Sequence, residues 1–178
     1  MHLLKIDGNC NFGQADPYIL KSGERYYIYV TGHDAIYAYH SDHLLEGWQY
    51  HGQVLSVPGL HAYWAPSVIE LDGKFYMYNS MEGADVIPDK YGHTGAMHVS
   101  VADNPLGPFQ MVKRILDPFS IDSHMVRTEA GLFLWYAEDN TRCELKGTRV
   151  FVDRFVDPYT PEHNPKEVLL PEFEEEKY

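Results

Sequence analysis

The chain has 178 residues, a formal net charge of -12 at pH 7 and an aromatic share of 14%. This charge argues against nucleic acid and anionic membranes as partners, because both require a basic surface. A neutral ligand such as a sugar suits the charge better. The fourteen tyrosines lie mostly in β-like runs, which favours strands and surfaces that can stack on a flat ligand.

The two cysteines, Cys10 and Cys143, match no metal-ligand spacing and make no disulfide framework. We expect a structural or inert role for both. No segment approaches the roughly 18 apolar residues that a membrane span requires. The first residues also lack the charged-then-apolar layout of a secretory signal, so we expect a cytoplasmic protein.

A pair of short strands recurs three times along the chain. The copies begin at Asp16, Ala65 and Asp122. In each copy a tight turn containing glycine separates a short strand from an aromatic-rich one, which is typical of a β-hairpin. The copies begin about 50 and about 57 residues apart, within the period expected of β-propeller blades.

Two further strands follow each of the first two hairpins. Residues 36–41 and 97–102 are predicted third strands, and a glycine turn followed by Trp48 or Phe109 opens a fourth strand. The third unit has residues 147–155 in the same place. Each unit therefore predicts a four-stranded antiparallel sheet, the unit of a propeller blade, and no amphipathic helix is expected.

The predicted fold class is all-β, with about three blades of a propeller. We place these blades at about residues 10–60, 61–117 and 118–156, so that residues 1–156 form a partial propeller domain. Residues 157–178, rich in proline and glutamate, are predicted to be a solvated tail. Three blades do not close a propeller, whose usual minimum is four. Removed chain, a second subunit and an open stack of sheets are the alternatives.

The first residues of the innermost strands converge at one mouth of a propeller channel. Asp16, Ala65 and Asp122 hold this position in the three units. Two carboxylates that face one pocket are what glycoside hydrolysis requires. Each aspartate alone also fits a turn residue that begins a strand, but the matched pair favours a catalytic role.

Two other polar residues are candidates for binding a substrate. His124 lies beside Asp122, although ordinary packing also explains a histidine there. Asp34 follows the first hairpin and either hydrogen-bonds sugar hydroxyls or caps a turn. No two histidines have a metal-ligand spacing such as His-x3-His, so the residues predict no metal site.

Several segments together resemble glycoside hydrolase family 43. They are Asp16–Tyr18, His61–Val68, Gly73–Tyr78, Ala102–Phe109 and Ile121-Asp122. A Trp-Ala-Pro blade start combined with a Pro-Leu-Gly-Pro-Phe blade end carries the resemblance, which covers roughly residues 10–155. It implies a five-bladed propeller and single-step hydrolysis with inversion, in a family of β-xylosidases, α-L-arabinofuranosidases and arabinanases.

The resemblance also implies roles for three residues. Asp16 matches the general base that activates water, and Asp122 matches the aspartate that orients the catalytic acid and raises its pKa. Trp64 resembles the aromatic wall of the sugar subsite. Family members often hold an ion in the channel, so the resemblance allows an ion such as calcium in a complete propeller, and no other cofactor is expected.

The glutamate that serves as acid in the family has no match after Asp122. Glu82 comes too early in the chain, and Glu138 and Glu144 lack the expected context. We therefore expect an inverting hydrolase of arabinose- or xylose-containing oligosaccharides that is truncated before its acid. The alternative is a non-catalytic carbohydrate-binding propeller fragment. In either case, exposed blade edges favour a homo-oligomer that covers them.

Overall fold

The computed structural model describes residues 6–7, 14–83, 94–140 and 147–176. Three β-sheets make up almost all of this structure, with one 3-10 turn at Glu174–Glu176. The first sheet contains β1 (Ile6–Asp7), β2 (Tyr18–Ser22), β3 (Arg25–Val30), β4 (Ile36–Ser41) and β5 (Trp48–Leu55) in the order β1-β5-β4-β3-β2. The second contains β6 (His61–Leu71), β7 (Lys74–Glu82), β8 (Ala96–Ala102) and β9 (Gln110–Pro118) in chain order.

The third sheet is formed by the last part of the chain. Its strands are β10 (Ser120–Thr128), β11 (Gly131–Asn140), β12 (Gly147–Asp157), β13 (Thr160–Pro161) and β14 (Lys166–Leu169). Apart from the parallel pair of β1 and β5, neighbouring strands are antiparallel. The prediction of an all-β fold with three propeller blades is confirmed. Within the described ranges, no helix is long and apolar enough to cross a membrane.

Each blade begins with a tight hairpin, as the repeated pattern predicts. In the second blade Leu71 pairs with Lys74. The two loop residues between them, Asp72 and Gly73, have φ angles of 51° and 77°. Two positive φ angles define the type I′ turn, whose twist matches that of the flanking strands, and Asp-Gly is a preferred sequence for it. The local sequence therefore fixes this hairpin.

The second sheet lies between the other two and buries both faces. One apolar cluster joins it to the first sheet, and another joins it to the third. Strand β7 is accordingly buried at seven successive positions, 75–81. Of the twelve tyrosines in the described ranges, eight are buried: Tyr27, Tyr29, Tyr37, Tyr39, Tyr63, Tyr76, Tyr78 and Tyr136. Most of the aromatic surface that the composition suggested for ligand stacking thus packs within and between sheets.

Two tyrosine hydroxyls tie each blade to the next. The Tyr29 hydroxyl donates to the carbonyl of Pro105 at 2.7 Å, from the first blade to the second. The Tyr78 hydroxyl donates to the carbonyl of Pro158 at 2.8 Å, from the second blade to the third. Burial raises the pKa of both tyrosines, so both hydroxyls remain protonated donors. The two residues occupy equivalent positions and repeat one inter-blade contact.

Part of the predicted tail belongs to the third sheet. Strands β13 and β14 both pair with β12, near Phe155 and near Val150–Val152 respectively. Since β11 occupies the other edge of β12, the two short strands share one edge in succession. They supply the fourth strand of the third blade. The proline-rich composition interrupts this strand without preventing the pairing, because an edge strand tolerates residues that donate no backbone hydrogen bond.

Candidate functional site

The three inner strands begin with one unusual backbone conformation. Asp16, Ala65 and Asp122 have φ angles of 49°, 44° and 55°. This left-handed region is uncommon for residues other than glycine. Each instance costs on the order of 1 kcal/mol and persists only where the surrounding structure imposes it. The sequence repeat is therefore also a repeat of backbone geometry, with a carboxylate at two of the three positions.

Side chains just after the two aspartates meet across the inner strands. The rings of Tyr18 and His124 have centroids 5.8 Å apart. Tyr18 lies two residues after Asp16, and His124 lies two residues after Asp122. The contact brings together the segments that follow Asp16 and Asp122, and both aspartates are exposed.

The second and third blades are joined close to the same level. Ser67 on β6 and Ser123 on β10 have hydroxyl oxygens 3.3 Å apart in a buried contact. Ser123 directly follows Asp122, so this contact holds the start of the third inner strand against the second blade. The inner strands of all three blades thus meet near the two aspartates.

Thr31, at the end of β3, links Asp16 to the second blade. Its hydroxyl is 2.6 Å from Oδ2 of Asp16, and the backbone N–H of Ala65 donates to the same hydroxyl at 2.9 Å. The N–H of Thr31 donates to the carbonyl of Ala15 at 3.1 Å. Sequence reasoning did not identify Thr31. The available signal is a hydroxyl residue two positions after the repeated tyrosine, as in Tyr29-Val-Thr and Tyr78-Asn-Ser.

A cleft of about 350 Å³ adjoins this link. It is lined by Thr31, Gly32, His33, His61, Ala62, Trp64 and Glu82. Trp64 is half-buried in its wall. Nε2 of His61 lies 3.3 Å from Oε2 of Glu82. The cleft offers one aromatic face, imidazole groups and a carboxylate, which suits a polar ligand that has one apolar face.

Gly32 allows the cleft to form. Its N–H donates to the carbonyl of Tyr63 at 3.0 Å, and its carbonyl accepts from the N–H of Tyr63 at 2.9 Å. A side chain at this position would collide with the carbonyl oxygen of Ala35 and the ring of Tyr37. A residue without Cβ is therefore needed where the first blade closes on the second.

The two binding candidates from the sequence lie in different surroundings. Asp34 is exposed, and its Oδ1 accepts a hydrogen bond from the Tyr37 hydroxyl at 2.7 Å. Its backbone carbonyl accepts from the Ser56 hydroxyl at 3.1 Å, so Asp34 also orders its loop. His124 is exposed beside Tyr18, on the same strand as Asp122.

Glu138, which follows Asp122 in the chain, is a carboxylate with a raised pKa. Burial raises the pKa of Glu138, Arg149 lowers it, and Asp117 and Glu167 raise it further. Arg149, Asp117 and Glu167 lie on β12, β9 and β14 respectively. Glu138 itself pairs with Ser120 on the inner strand β10, two residues before Asp122. Glu144, the other candidate acid, lies outside the described residues.

The described residues do not fit a metal site. Across 14–83, 94–140 and 147–176, no group of three or more His, Cys, Asp or Glu side chains could hold an ion. No chemical step is therefore assigned to a metal. Both cysteines lie outside the described residues.

Solved structures share this arrangement of blades. A thermostable family-43 glycoside hydrolase is 26% identical with a TM-score of 0.77, and the match covers 91% of this chain and 55% of that one. An α-L-arabinofuranosidase from Lactobacillus brevis is 19% identical with a TM-score of 0.75, covering 90% and 55%. An endo-arabinase from Bacteroides thetaiotaomicron is 22% identical with a TM-score of 0.75, covering 87% and 55%. The chain thus spans little more than half the length of these proteins.

A comparison with curated proteins found no match. The protein family described as Glycosyl hydrolases family 43 matches residues 10–178, nearly the whole chain. This match agrees with the resemblance carried by the blade-start and blade-end motifs and with the three-blade fold. The chain belongs to glycosyl hydrolase family 43.

Proposed function

We propose that this chain carries the general base, but not the catalytic acid, of an inverting glycosidase that acts on arabinose- or xylose-containing oligosaccharides. One observation supports this most directly: Asp16 and Asp122 share the same left-handed conformation, and the residues two positions after each, Tyr18 and His124, are in contact. The similar structures support this substrate class, since they include an arabinofuranosidase, an endo-arabinase and an enzyme complexed with xylotriose.

Asp16 acts as the general base in this proposal. Its Oδ2 accepts the Thr31 hydroxyl, and within the described residues its Oδ1 makes no hydrogen bond. The exposed Oδ1 is therefore available to take a proton from a water molecule as that water attacks the anomeric carbon. Inversion places base and acid on opposite sides of the scissile bond, about 6.5 to 9.5 Å apart, with the water in between.

Asp122 and Trp64 support this chemistry without taking the water proton. Asp122 orients the catalytic acid and favours its protonated form, because a nearby negative charge makes ionisation of a second carboxyl harder. The indole of Trp64 lies in the cleft wall and stacks against the apolar face of a pentose ring. His124 and Asp34 remain candidates for hydrogen bonds to sugar hydroxyls.

The catalytic acid, in this proposal, comes from outside residues 1–178. Glu82 lies 3.3 Å from His61 in the cleft. The proposal assigns neither glutamate as the acid, because Glu82 precedes Asp122 in the chain and Glu138 lacks the sequence context of the family's acid. The chain covers 55% of similar glycosidases, which leaves ample sequence in those proteins for an acid.

The experiment compares two polypeptides on nitrophenyl α-L-arabinofuranoside and nitrophenyl β-D-xyloside. One is the 178-residue chain, and the other is the natural reading frame continued to its stop codon. We expect the continued protein to cleave and Asp16→Asn to lower its kcat about 1,000-fold or more, since loss of a general base and its charge removes several kcal/mol of transition-state stabilisation.

Three other outcomes count against parts of this proposal. Near-normal turnover by Asp16→Asn removes Asp16 as the base. Cleavage by the 178-residue chain alone means that a glutamate within it, or in a second copy, is the acid. Sugar binding without cleavage by either polypeptide favours the non-catalytic carbohydrate-binding reading.

A further inference from the structure

We propose that Thr31 is a positioning residue for the base, through a hydrogen-bond relay that runs from the Ala65 amide through the Thr31 hydroxyl to Asp16. The relay fixes one carboxylate oxygen of the first blade relative to the backbone beside Trp64 in the second. This inference rests on the proposed function, because it matters for hydrolysis only if Asp16 is the base.

The direction of the relay is determined by its chemistry. The N–H of Ala65 can only donate, and it lies 2.9 Å from the Thr31 hydroxyl oxygen. The hydroxyl therefore accepts there and directs its one hydrogen to Oδ2 of Asp16, 2.6 Å away. The base is thereby kept as an acceptor, with Oδ1 left for water.

The relay also connects Asp16 to Trp64, the two residues that contact the same sugar in this proposal. Ala65 directly follows Trp64, whose indole lines the cleft, and Thr31 lines the same cleft. Two short hydrogen bonds therefore separate the carboxylate from the backbone that carries the aromatic wall. A base must lie within hydrogen-bond reach of its water, and a shift of about 1 Å can cost 100-fold in rate.

The second blade shows what the same position does without a carboxylate. Ser80 stands two residues after Tyr78, as Thr31 does after Tyr29, and its hydroxyl donates to the carbonyl of Ser120 at 2.6 Å. Ser80 thus ties one blade to the next inner strand as a donor, two residues before Asp122. Thr31 ties its blade to the next inner strand as an acceptor from the Ala65 N–H, and it adds a bond that it donates to Asp16. The added bond is what distinguishes a positioning role from a purely structural one.

The first test measures hydrolysis by the continued protein with Thr31→Val, which removes the hydroxyl at nearly constant volume, and with Thr31→Ser, which keeps it. We expect Thr31→Val to lower kcat about 10- to 100-fold with little change in KM. Thr31→Ser should stay within about threefold of the wild type in both kcat and KM. Thr128→Val, at the other end of β10 from Asp122, is the control.

The failure of this inference is distinguishable from failure of the proposed function. If Asp16→Asn abolishes turnover but Thr31→Val has a normal kcat, the relay is overturned and the base assignment stands. If Asp16→Asn is active, the base assignment fails. A loss of rate in Thr31→Ser equal to that in Thr31→Val also overturns the relay, because the hydroxyl is then not the cause.

A second test needs no activity and uses NMR on the 178-residue chain. We expect Asp16→Asn to shift the amide proton of Ala65, and this shift to vanish in a Thr31→Val background. The Tyr63 amide, which donates to Gly32 rather than to Thr31, is the control and should move little. If Thr31→Val does not fold, the Asp16→Asn variant alone decides. An Ala65 amide proton whose chemical shift is unchanged in Asp16→Asn overturns the relay.

Discussion

At the scale of single residues, the site depends on a backbone conformation that most side chains avoid. Asp16, Ala65 and Asp122 share positive φ angles, and only the middle one lacks a carboxylate. Ala65 is buried in β6, directly after Trp64. Residues held in such regions cluster at functional sites because the surrounding contacts must compensate for the strain. Here those contacts include the hydrogen bonds of Thr31.

The stacking role of Trp64 gives a prediction at this scale. Trp64→Ala should weaken binding of xylotriose or arabinotriose about 10-fold, because an aromatic contact contributes on the order of 1 kcal/mol beyond the area it buries. Titration calorimetry measures the affinity, and the pH profile of hydrolysis should keep its shape. Trp135→Ala, which removes an indole outside the cleft, is the matched control. An unchanged affinity for Trp64→Ala would exclude the stacking role.

At the scale of elements, each blade is fastened to the next by a repeated contact. Tyr29 and Tyr78 stand at equivalent places on the second strands of their blades, and each donates to a carbonyl near the end of the next blade's third strand. A buried hydroxyl that is hydrogen-bonded contributes to stability, and a buried carbonyl that loses its donor lowers the free energy of unfolding. The blades therefore pack through directed hydrogen bonds as well as apolar area.

The Tyr78 hydrogen bond predicts how much removal of the Tyr78 hydroxyl lowers the free energy of unfolding. Tyr78→Phe should lower the free energy of unfolding by about 1 to 2 kcal/mol, because the Pro158 carbonyl loses its donor in a buried setting. Urea unfolding of the 178-residue chain measures the change. Tyr27→Phe is the control, since its hydroxyl makes no hydrogen bond within the described residues, and it should change stability by less than about 0.5 kcal/mol. Equal losses in both variants would contradict the inter-blade bond.

At the scale of the whole molecule, the third sheet repeats this design without a neighbouring sheet in the described structure. Trp135 holds the place of Tyr29 and Tyr78, and its side chain is 42% exposed. Val126, Phe133 and Val152 share its face of the sheet by register. An apolar face of this kind favours association.

We expect the 178-residue chain to self-associate through that face. Sedimentation velocity should show a concentration-dependent rise in mass, and Trp135→Lys should return the chain to monomer because a lysine charge is costly to bury. Leu45→Lys, at an apolar residue 77% exposed on the first blade, is the control and should leave association unchanged. A chain that stays monomeric at all concentrations would contradict this expectation.

The sequence by itself determined the hairpins, the three blades and the family. These depend on short-range information: the Asp72-Gly73 turn, alternating aromatic residues, and motifs of a few residues that repeat. The same repeat identified Asp16 and Asp122 as equivalent positions, and their shared φ angles agree with it. Local backbone preferences act within a few residues, so a reader of the sequence can apply them directly.

Only the tertiary structure decided which side chains meet between blades. Thr31 bonds to residues 15 and 34 positions away, and Tyr18 contacts His124 across the inner strands. It also placed the tyrosines between sheets and paired β14 with β12. Such contacts depend on how twisted sheets are arranged around a common centre. That arrangement results from packing the whole chain, so no short segment specifies it.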